Sequence, residues 1–213
     1  MSEFNPKISI IDYGLGNLYS VKKAFGKFTD NAAITEEPEA IIASDAMVLP
    51  GVGSFESGMK GIELRGLGPA IKEFANSGKP VLGICLGAQI MLTRGHEFGI
   101  FNGLDLIPGE VVPFPKLTSG TKTPHIGWNG IYSRNNSLDD TILRSVGKND
   151  NVYFVHSFIF EPSNEENILA LTKYGDREFC SAIRMGNIYG CQFHPEKSGE
   201  TGLKIIKDFI DLI

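Results

Sequence analysis

The sequence predicts an α/β protein: a central, mostly parallel β-sheet flanked by helices, with additional β-strands in the C-terminal half. Over about the first 100 residues, short apolar runs alternate with segments of helical spacing, which is typical of parallel βαβ units. The second half instead contains short strand-like runs separated by turn residues. Because the 213 residues show neither an internal repeat nor a change in composition that would mark a linker, we expect one domain over residues 1–213.

Each element of the first half is predicted from a local pattern. Residues 7–12 read KISIID, an apolar run that ends in a polar turn, and predict a buried first strand. Leu18, Val21 and Phe25 fall on one face at helical spacing, so a helix is predicted over 17–28. Similar patterns predict strands over 46–50 and 79–84 and helices over 55–64, 69–76 and 86–94.

The second half is predicted to be rich in β-structure. Its predicted strands are 110–114, 130–133, 151–156, 168–173, 179–184 and 188–193. Only residues 139–146 and roughly the last dozen residues have helical spacing. The apolar face of that last helix consists of Leu203, Ile206, Phe209, Ile210 and Ile213. A face of this kind has to pack against another element.

Composition and charge argue against a polyanionic partner. Hydrophobic residues make up 42% of the chain and charged residues 21%, as in ordinary globular proteins. The 20 basic and 25 acidic side chains give a net charge of −5. No run of Lys or Arg offsets that balance, so we expect binding neither to nucleic acid nor to a membrane. No apolar stretch approaches the ~18 residues that span a bilayer.

Signals of secretion and of cofactors are also missing from the sequence. The N-terminal segment MSEFNPKISI lacks the apolar core and cleavage site of a signal peptide, so we expect a cytoplasmic protein and give no weight to the glycosylation-type sequence at 135–137. The three cysteines lack C-x-x-C spacing, which argues against a disulfide framework and a zinc site. After Gly14 and Gly16, Tyr19 occupies the position of the third glycine of a dinucleotide fingerprint. We therefore expect no cofactor and no metal.

The strongest chemical signal is the sequence GICLG at 83–87, between a predicted strand and a predicted helix. It has the G-x-nucleophile-x-G pattern, with Cys85 in the position of the serine. Its glycines allow neighbouring backbone to pass close to a strained turn. A buried structural thiol is the alternative, and it is our interpretation of Cys180 and Cys191, which lie within apolar strand patterns.

A nucleophilic thiol needs a base, for which the sequence offers His96, His125, His156 and His194. Only His194 is followed by Pro195 and Glu196, at the end of a predicted strand. Proline disfavours helical geometry in the residue before it, so we expect an extended segment in which residues i and i+2 point to the same side. The Glu196 carboxylate would then orient the imidazole, as in a catalytic triad.

Acyl transfer also requires hydrogen-bond donors for an oxyanion. Residues 50–53 read PGVG and follow the predicted strand 46–50. Gly51 and Gly53 allow a loop whose N–H groups turn inward, next to the N–H of Leu86. An ordinary glycine-rich turn is the alternative interpretation.

Together these motifs resemble the class I (triad) glutamine amidotransferases. More narrowly, the chain is similar to the glutaminase subunits of imidazole glycerol phosphate synthase, which belong to histidine biosynthesis. The similarity runs nearly end to end. The matching segments are IDYGLGNLYSV (11–21), LPGVGSF (49–55), PVLGICLGAQIM (80–91), GLDLIPGEV (103–111), PHIGWN (124–129), YFVHSF (153–158) and GCQFHPEKSG (190–199). The resemblance implies a flavodoxin-like class I glutaminase fold.

The resemblance also implies roles for individual residues. The implied triad is Cys85 as nucleophile, His194 as base and Glu196 as the group that orients the base. The implied oxyanion side is Gly51, Val52 and Gly53, with Leu86 after the nucleophile. The implied substrate contacts are Gln89 and Glu97 for the amide and amino groups of glutamine, and Ser157 and Phe158 for its carboxylate end. The implied partner-facing residues are Asn17, Trp128 and Lys197.

The implied function is hydrolysis of L-glutamine through a cysteinyl thioester, with ammonia delivered to a (β/α)₈-barrel synthase in a heterodimer. Two relatives stay open as alternatives: a paralogue that supplies a sugar amidotransferase of surface polysaccharide synthesis, and a free-standing γ-glutamyl hydrolase. The partner-facing residues also have simpler interpretations. Trp128 could belong to the core, Asn17 could cap a helix, and Lys197 could be a solvated charge.

Overall fold

A computed structural model describes residues 5–118, 120–133 and 138–213 of the chain. Residues 1–4, at the start of the N-terminal segment, and the glycosylation-type sequence 135–137 lie outside the described residues. No helix in the described ranges is long and apolar enough to cross a bilayer.

The strands and helices follow one another in the order that an α/β fold requires. The strands are β1 (Ile8–Ile11), β2 (Ala32–Thr35), β3 (Ala46–Leu49), β4 (Val81–Ile84), β5 (Leu92–Gly95), β6 (Phe101–Asn102), β7 (Ile107–Pro113), β8 (His125–Gly130), β9 (Asn151–His156), β10 (Phe158–Pro162), β11 (Ile168–Tyr174), β12 (Arg177–Met185) and β13 (Ile188–Cys191). The helices are α1 (Leu18–Phe25), α2 (Pro38–Ile42), α3 (Phe55–Leu64), α4 (Gly68–Asn76), α5 (Leu86–Gln89) and α6 (Gly199–Ile210).

One large sheet organises the molecule, with the strand order β2-β1-β3-β4-β13-β12-β10-β7-β5-β6. The strands from β2 to β13 in this order run parallel to one another. Beyond β13, antiparallel strands β12, β10 and β7 extend the sheet, and β11 pairs with β12. Strands β8 and β9 form a separate antiparallel pair. The predicted fold class, a parallel centre with additional strands from the C-terminal half, is confirmed.

Apolar side chains on the two faces of the sheet form two cores. Every residue of β1, β3, β4 and β13 is buried, as expected for strands that helices cover on both faces. One core joins alternate strand residues to α1 and α6, where Phe25 and Phe209 meet edge-to-face with ring centroids 6.1 Å apart. The other core joins the remaining strand residues to α3 and α4.

Most of the predicted elements are present, and the helix over 55–64 has the predicted bounds. The helix predicted over 86–94 is wrong beyond Gln89, because Leu92 enters β5 and pairs with Ile107 of β7. The strand predicted over 130–133 is misplaced: the strand is β8, and Tyr132 forms only an isolated bridge to Leu171. Four elements were not predicted from local patterns: β2, α2, β6 and β10.

The helix predicted over 139–146 is also wrong, because these residues form turns. The Thr141 hydroxyl donates to the carbonyl of Leu138 and accepts the backbone N–H of Leu143, so it offers the backbone an alternative to helical hydrogen bonds. Asp208 of α6 then fixes the segment by accepting the backbone N–H of Ser145 at 2.9 Å. A local periodicity had predicted the helix, and side-chain hydrogen bonds override it.

The contact between α1 and α6 provides a test of the first core. Phe209 is fully buried, whereas Tyr19 on α1 is 82% exposed. We expect Phe209→Ala to lower the free energy of unfolding by about 3–5 kcal/mol through lost burial and a residual cavity. Tyr19→Ala is the matched control and should change it by no more than about 0.5 kcal/mol. Urea denaturation measures both, and equal effects would contradict this packing.

Candidate active site

Cys85 occupies a sharp turn between β4 and α5. Its backbone has φ 52° and ψ −112°, a conformation that costs a non-glycine residue roughly 1–3 kcal/mol. The surroundings hold it there, since its N–H donates to the carbonyl of Cys191 on β13 at 2.7 Å. The neighbouring glycines are required by space: a Cβ at Gly83 would lie 2.6 Å from Cα of Ala88, and one at Gly87 would collide with the carbonyl oxygen of Leu49. The predicted strand–turn–helix geometry is present.

The imidazole of His194 and the carboxylate of Glu196 form a buried pair just beyond β13. Nδ1 of His194 lies 2.8 Å from Oε1 of Glu196, and each side chain is only 2% exposed. His194 is extended, as the following proline predicts, but Pro195–Lys197 form a 3₁₀ turn where we expected extended chain. This turn still brings the carboxylate beside the ring.

Hydrogen bonds to β9 fix the backbone around His194. Its N–H donates to the carbonyl of Tyr153 at 2.9 Å. The Ser198 hydroxyl donates to the carbonyl of His194 at 2.6 Å and accepts the N–H of Tyr153 at 2.9 Å. The base is therefore held by three elements: the end of β13, the 3₁₀ turn and β9.

The environment of His194 favours its protonated form. Burial by itself lowers the pKa of the ring, but the neighbouring Cys85 and Glu196 side chains outweigh burial and raise the pKa to about 9. Nε2 of His194 is buried and has no hydrogen-bond partner among the described residues. Cys85 and His194 line the same cavity, and this free ring nitrogen is the atom available to exchange a proton with the sulfur.

The other two thiols are unsuited to nucleophilic chemistry. Cys180 and Cys191 are buried, and burial raises the pKa of each thiol well above its usual range. Their interpretation as structural cysteines agrees with this environment, because the thiolate is the reactive form.

A cavity of about 480 Å³ opens beside Cys85 and collects most of the predicted site residues. The predicted residues that line it are Val52, Gly53, Cys85, Gln89, Glu97, Ser157, Phe158, His194 and Lys197. Glu196 lies behind His194. Gly51 and Leu86 are not part of the lining, and a Cβ added at Gly51 would lie 2.9 Å from Cβ of Leu86.

The loop over 50–53 is fixed at its start and more open at its end. The buried Tyr13 hydroxyl donates to the carbonyl of Pro50, and a Cβ at Gly51 would collide with that hydroxyl. Val52, by contrast, is 41% exposed, and Gly53 has φ 117°, a conformation that favours glycine. The second half of the loop therefore has the freedom to reorient its peptide groups.

The predicted substrate contacts lie around the cavity with some of their polar atoms already engaged. Oε2 of Glu97 accepts the N–H of Phe55 in the first turn of α3 at 2.7 Å. Ser157 separates β9 from β10, and its carbonyl accepts the N–H of Phe114 at 2.8 Å. The carbonyl of Phe158 accepts a hydrogen bond from Nδ1 of His156 at 2.8 Å.

Two further polar residues belong to this site: His156, which the sequence offered only as one of four candidate bases, and Gln192, which the sequence analysis did not single out. His156 lines the cavity, and burial lowers its pKa to about 3, so the ring is neutral. Gln192 is fully buried and donates from Nε2 to Sγ of Cys85 at 3.7 Å. A signal for Gln192 was available in the sequence: it lies two residues before His194, at the end of the strand predicted over 188–193, where residues i and i+2 are expected to share a side.

The residues expected to face a partner have different surroundings. Trp128 on β8 is 55% exposed, which excludes the core alternative, and its ring packs on Tyr153 with centroids 5.8 Å apart. Oδ1 of Asn17 accepts the N–H of Ser20 at 3.3 Å and caps α1. Lys197 is exposed at the edge of the cavity.

Across the described ranges, His, Cys, Asp and Glu side chains form no group of three or more that could hold a metal ion.

A strained cysteine at a strand–helix turn, next to a buried His–Glu pair and a small cavity, is the arrangement expected of an α/β enzyme with a cysteine nucleophile. Comparison with known protein families identifies the family to which this enzyme belongs. The model of the family "Glutamine amidotransferase class-I" matches residues 9–212, and the chain belongs to this family. The family resemblance predicted from the motifs is confirmed, and the chain is a glutamine amidotransferase.

The chain is also similar to individual proteins of known sequence or structure. The chain is 51% identical to "Imidazole glycerol phosphate synthase subunit HisH 1" of Legionella pneumophila (strain Paris), covering 96% of this chain and 99% of the relative. It is 46% identical to "Imidazole glycerol phosphate synthase subunit HisH" of Methanosarcina barkeri, over 97% and 98% of the two chains. Among solved structures, PurLQS from Thermotoga maritima shares the fold with a TM-score of 0.72 at 17% identity, over 98% of this chain and 99% of the other.

The His194–Glu196 pair gives a prediction about titration. The raised pKa means that proton binding to His194 stabilises the folded protein below pH 6.5, and that this contribution is lost as the pH rises through about 9. Glu196→Gln removes the carboxylate, so the His194 midpoint should fall. Imidazole NMR titration measures it. Glu110→Gln, which removes the carboxylate beside His96, is the control and should leave the His194 midpoint near 9. An unchanged midpoint in Glu196→Gln would contradict the pairing.

Proposed function

We propose that this chain is the glutaminase subunit of an imidazole glycerol phosphate synthase, acting in histidine biosynthesis. The observation that carries the proposal is the arrangement of Cys85, His194 and Glu196 beside a cavity large enough for one amino acid. The two relatives described above, similar over nearly their full length, support the choice of pathway. The match over residues 9–212 supports a single functional domain over 1–213.

Hydrolysis proceeds in two steps. The Cys85 sulfur attacks the side-chain carboxamide carbon of glutamine, and the proton held by His194 passes to the departing nitrogen, which leaves as ammonia. In the second step His194 takes a proton from water as the water attacks the γ-glutamyl thioester. Glutamate is released and the thiol is restored. Glu196 keeps the ring oriented in both steps, and positioned proton transfer of this kind accelerates a reaction roughly 10²–10⁴-fold.

Backbone donors stabilise the oxyanion that forms in each step. We assign this role to the N–H groups of the 51–53 loop and of Leu86, each donor being worth about 10²–10³ in rate. The Tyr13 hydrogen bond fixes the start of the loop, whereas Val52 is exposed. These features support a rearrangement in which partner binding turns the N–H groups of the loop toward the substrate. The isolated chain is then slow, which avoids wasting glutamine.

Substrate recognition follows from the cavity lining. Gln89 contacts the side-chain amide of glutamine, Glu97 its ammonium group, and the backbone at Ser157 and Phe158 its carboxylate. One oxygen of Glu97 is already fixed by the start of α3, which orients the carboxylate before substrate arrives. The site needs neither a cofactor nor a metal for these steps.

We further propose that the partner is a (β/α)₈-barrel synthase subunit and that the two form a heterodimer in the cytoplasm. The exposed Trp128 and the cavity-edge Lys197 support a contact face around the site, joined by Asn17 at the start of α1. Ammonia then passes through this face without entering bulk water, where it would be protonated.

The first test is the nucleophile. We expect Cys85→Ala to lower glutamine hydrolysis by roughly 10⁴-fold or more while the variant still folds and binds its partner. Cys180→Ala removes a thiol outside the site and should retain activity. Glutamate release measured with the partner present decides the matter, and hydrolysis at the wild-type rate in Cys85→Ala would end the proposal.

The second test is the partner face. We expect the synthase subunit with its ligand to raise glutamine hydrolysis, and Trp128→Ala to weaken binding by about 10-fold or more, as for an interfacial aromatic anchor. Leu64→Ala, at a 74% exposed site on α3, is the control and should bind normally. Calorimetry measures the affinities. Full activity of the isolated chain would contradict activation by a partner.

A further inference from the structure

We propose that Gln192 is a further catalytic residue of this site, and this inference rests on the proposed glutaminase activity. Its side-chain amide donates to the Cys85 sulfur and, from its other end, fixes Gln89 so that the Gln89 carbonyl oxygen meets the substrate's amide. One buried residue would thereby link the nucleophile to the group that recognises glutamine.

The first contact is with the sulfur. Nε2 of Gln192 lies 3.7 Å from Sγ of Cys85, within the range for a hydrogen bond to sulfur, and Gln192 is fully buried. In a dry site a thiolate requires donors, and the reversed amide would direct an oxygen lone pair at the charged sulfur. Nε2 is the end of the Gln192 amide that faces the sulfur, and it is the end that can donate to the thiolate formed when Cys85 reacts.

The second contact fixes the orientation of the Gln89 side-chain amide. Oε1 of Gln192 accepts a hydrogen bond from Nε2 of Gln89 at 3.1 Å, and both groups are buried. Because Oε1 can only accept, the nitrogen end of the Gln89 amide has to face Gln192. The side-chain amides of Gln192 and Gln89 therefore form a chain of hydrogen bonds that begins at the sulfur of Cys85.

An independent contact requires the same orientation. Nε2 of Gln89 also lies 3.5 Å from the carbonyl oxygen of Phe158, which can only accept. That carbonyl is held by Nδ1 of His156 at 2.8 Å, so its position does not depend on Gln89. The sulfur at one end and a backbone carbonyl at the other thus select one direction for the Gln89 amide.

The orientation of the Gln89 amide determines whether the site favours glutamine or glutamate. Both hydrogens of the Gln89 amide are directed at protein acceptors, which leaves its oxygen for the cavity that Gln89 lines. Glutamine offers amide N–H donors to such an oxygen. Glutamate, ionised at neutral pH, offers only acceptors and is repelled, so the site favours the substrate over its own product.

The experiment compares Gln192→Met, which keeps the length but loses both polar atoms, with Gln192→Glu, which keeps the shape but loses the donor. The probes are iodoacetamide, with the alkylated cysteine located by mass spectrometry, and glutamate as a competitive inhibitor of glutamine hydrolysis in the complex with the synthase subunit. Ser181→Ala is the matched control, because Ser181 accepts the backbone N–H of Gln192 through its carbonyl, which the substitution retains. Circular dichroism checks that each variant folds.

We expect Gln192→Met to slow Cys85 alkylation at neutral pH by about 10-fold, the loss expected for one hydrogen bond to a charged group. Gln192→Glu should be slower still, because a carboxylate then faces the sulfur. The preference for glutamine over glutamate should fall by a similar factor in Gln192→Met. Ser181→Ala should match the wild type in both measurements.

A variant of Gln89 provides a second test, which does not require that the Gln192 variants fold. Gln89→Met breaks the chain beyond Gln192, so it should lose the discrimination against glutamate while Cys85 alkylation stays within about 2-fold of the wild type. Wild-type alkylation in Gln192→Met, or unchanged discrimination in Gln89→Met, would overturn the inference. A wild-type complex that hydrolyses no glutamine would instead overturn the proposed function, and the alkylation result would still report on Gln192.

Discussion

The parallel pairing of β4 with β13 is the interaction on which the site depends. Ile84 is in register with Cys191, and the N–H of Cys85 donates to the Cys191 carbonyl at 2.7 Å. This pairing offsets the strain at Cys85 and brings the chain that follows β13, with His194, to the same edge of the sheet. Ligands in open α/β sheets bind beyond the carboxyl ends of the strands for the same reason. Cys85 and His194, which are distant in sequence, thus line the same cavity.

Buried polar groups surround that pair, and hydrogen bonds between them offset part of the free energy that their burial costs. Glu196 supports His194, Ser198 ties the His194 backbone to β9, and Gln192 bridges the sulfur to Gln89. Each partner fixes the orientation of the next. The site is therefore positioned before substrate binds, while the end of the 50–53 loop keeps freedom to move.

Local patterns predicted the strands and helices whose hydrophobic period is clear, such as the helix over 55–64 and the strand over 151–156. They failed where tertiary contacts override local preference. The helix after Cys85 stops at Gln89 because the chain turns into β5, and residues 139–146 form turns that Thr141 and Asp208 stabilise. Strand β2 was not predicted, because only the first of its four residues is buried, whereas every residue of the equally short β1 is buried and apolar or small.

The elbow and the His-Pro-Glu segment are local patterns, so the sequence could predict the chemistry: Cys85 as nucleophile, His194 as base and the acid two residues beyond it. Tertiary structure alone decided how those groups are supported. Gln192 lies 107 residues from Cys85 along the chain, and His156 lies beside the cavity through the packing of β9. Which end of a buried amide faces a sulfur depends on neighbours that only the folded chain brings together.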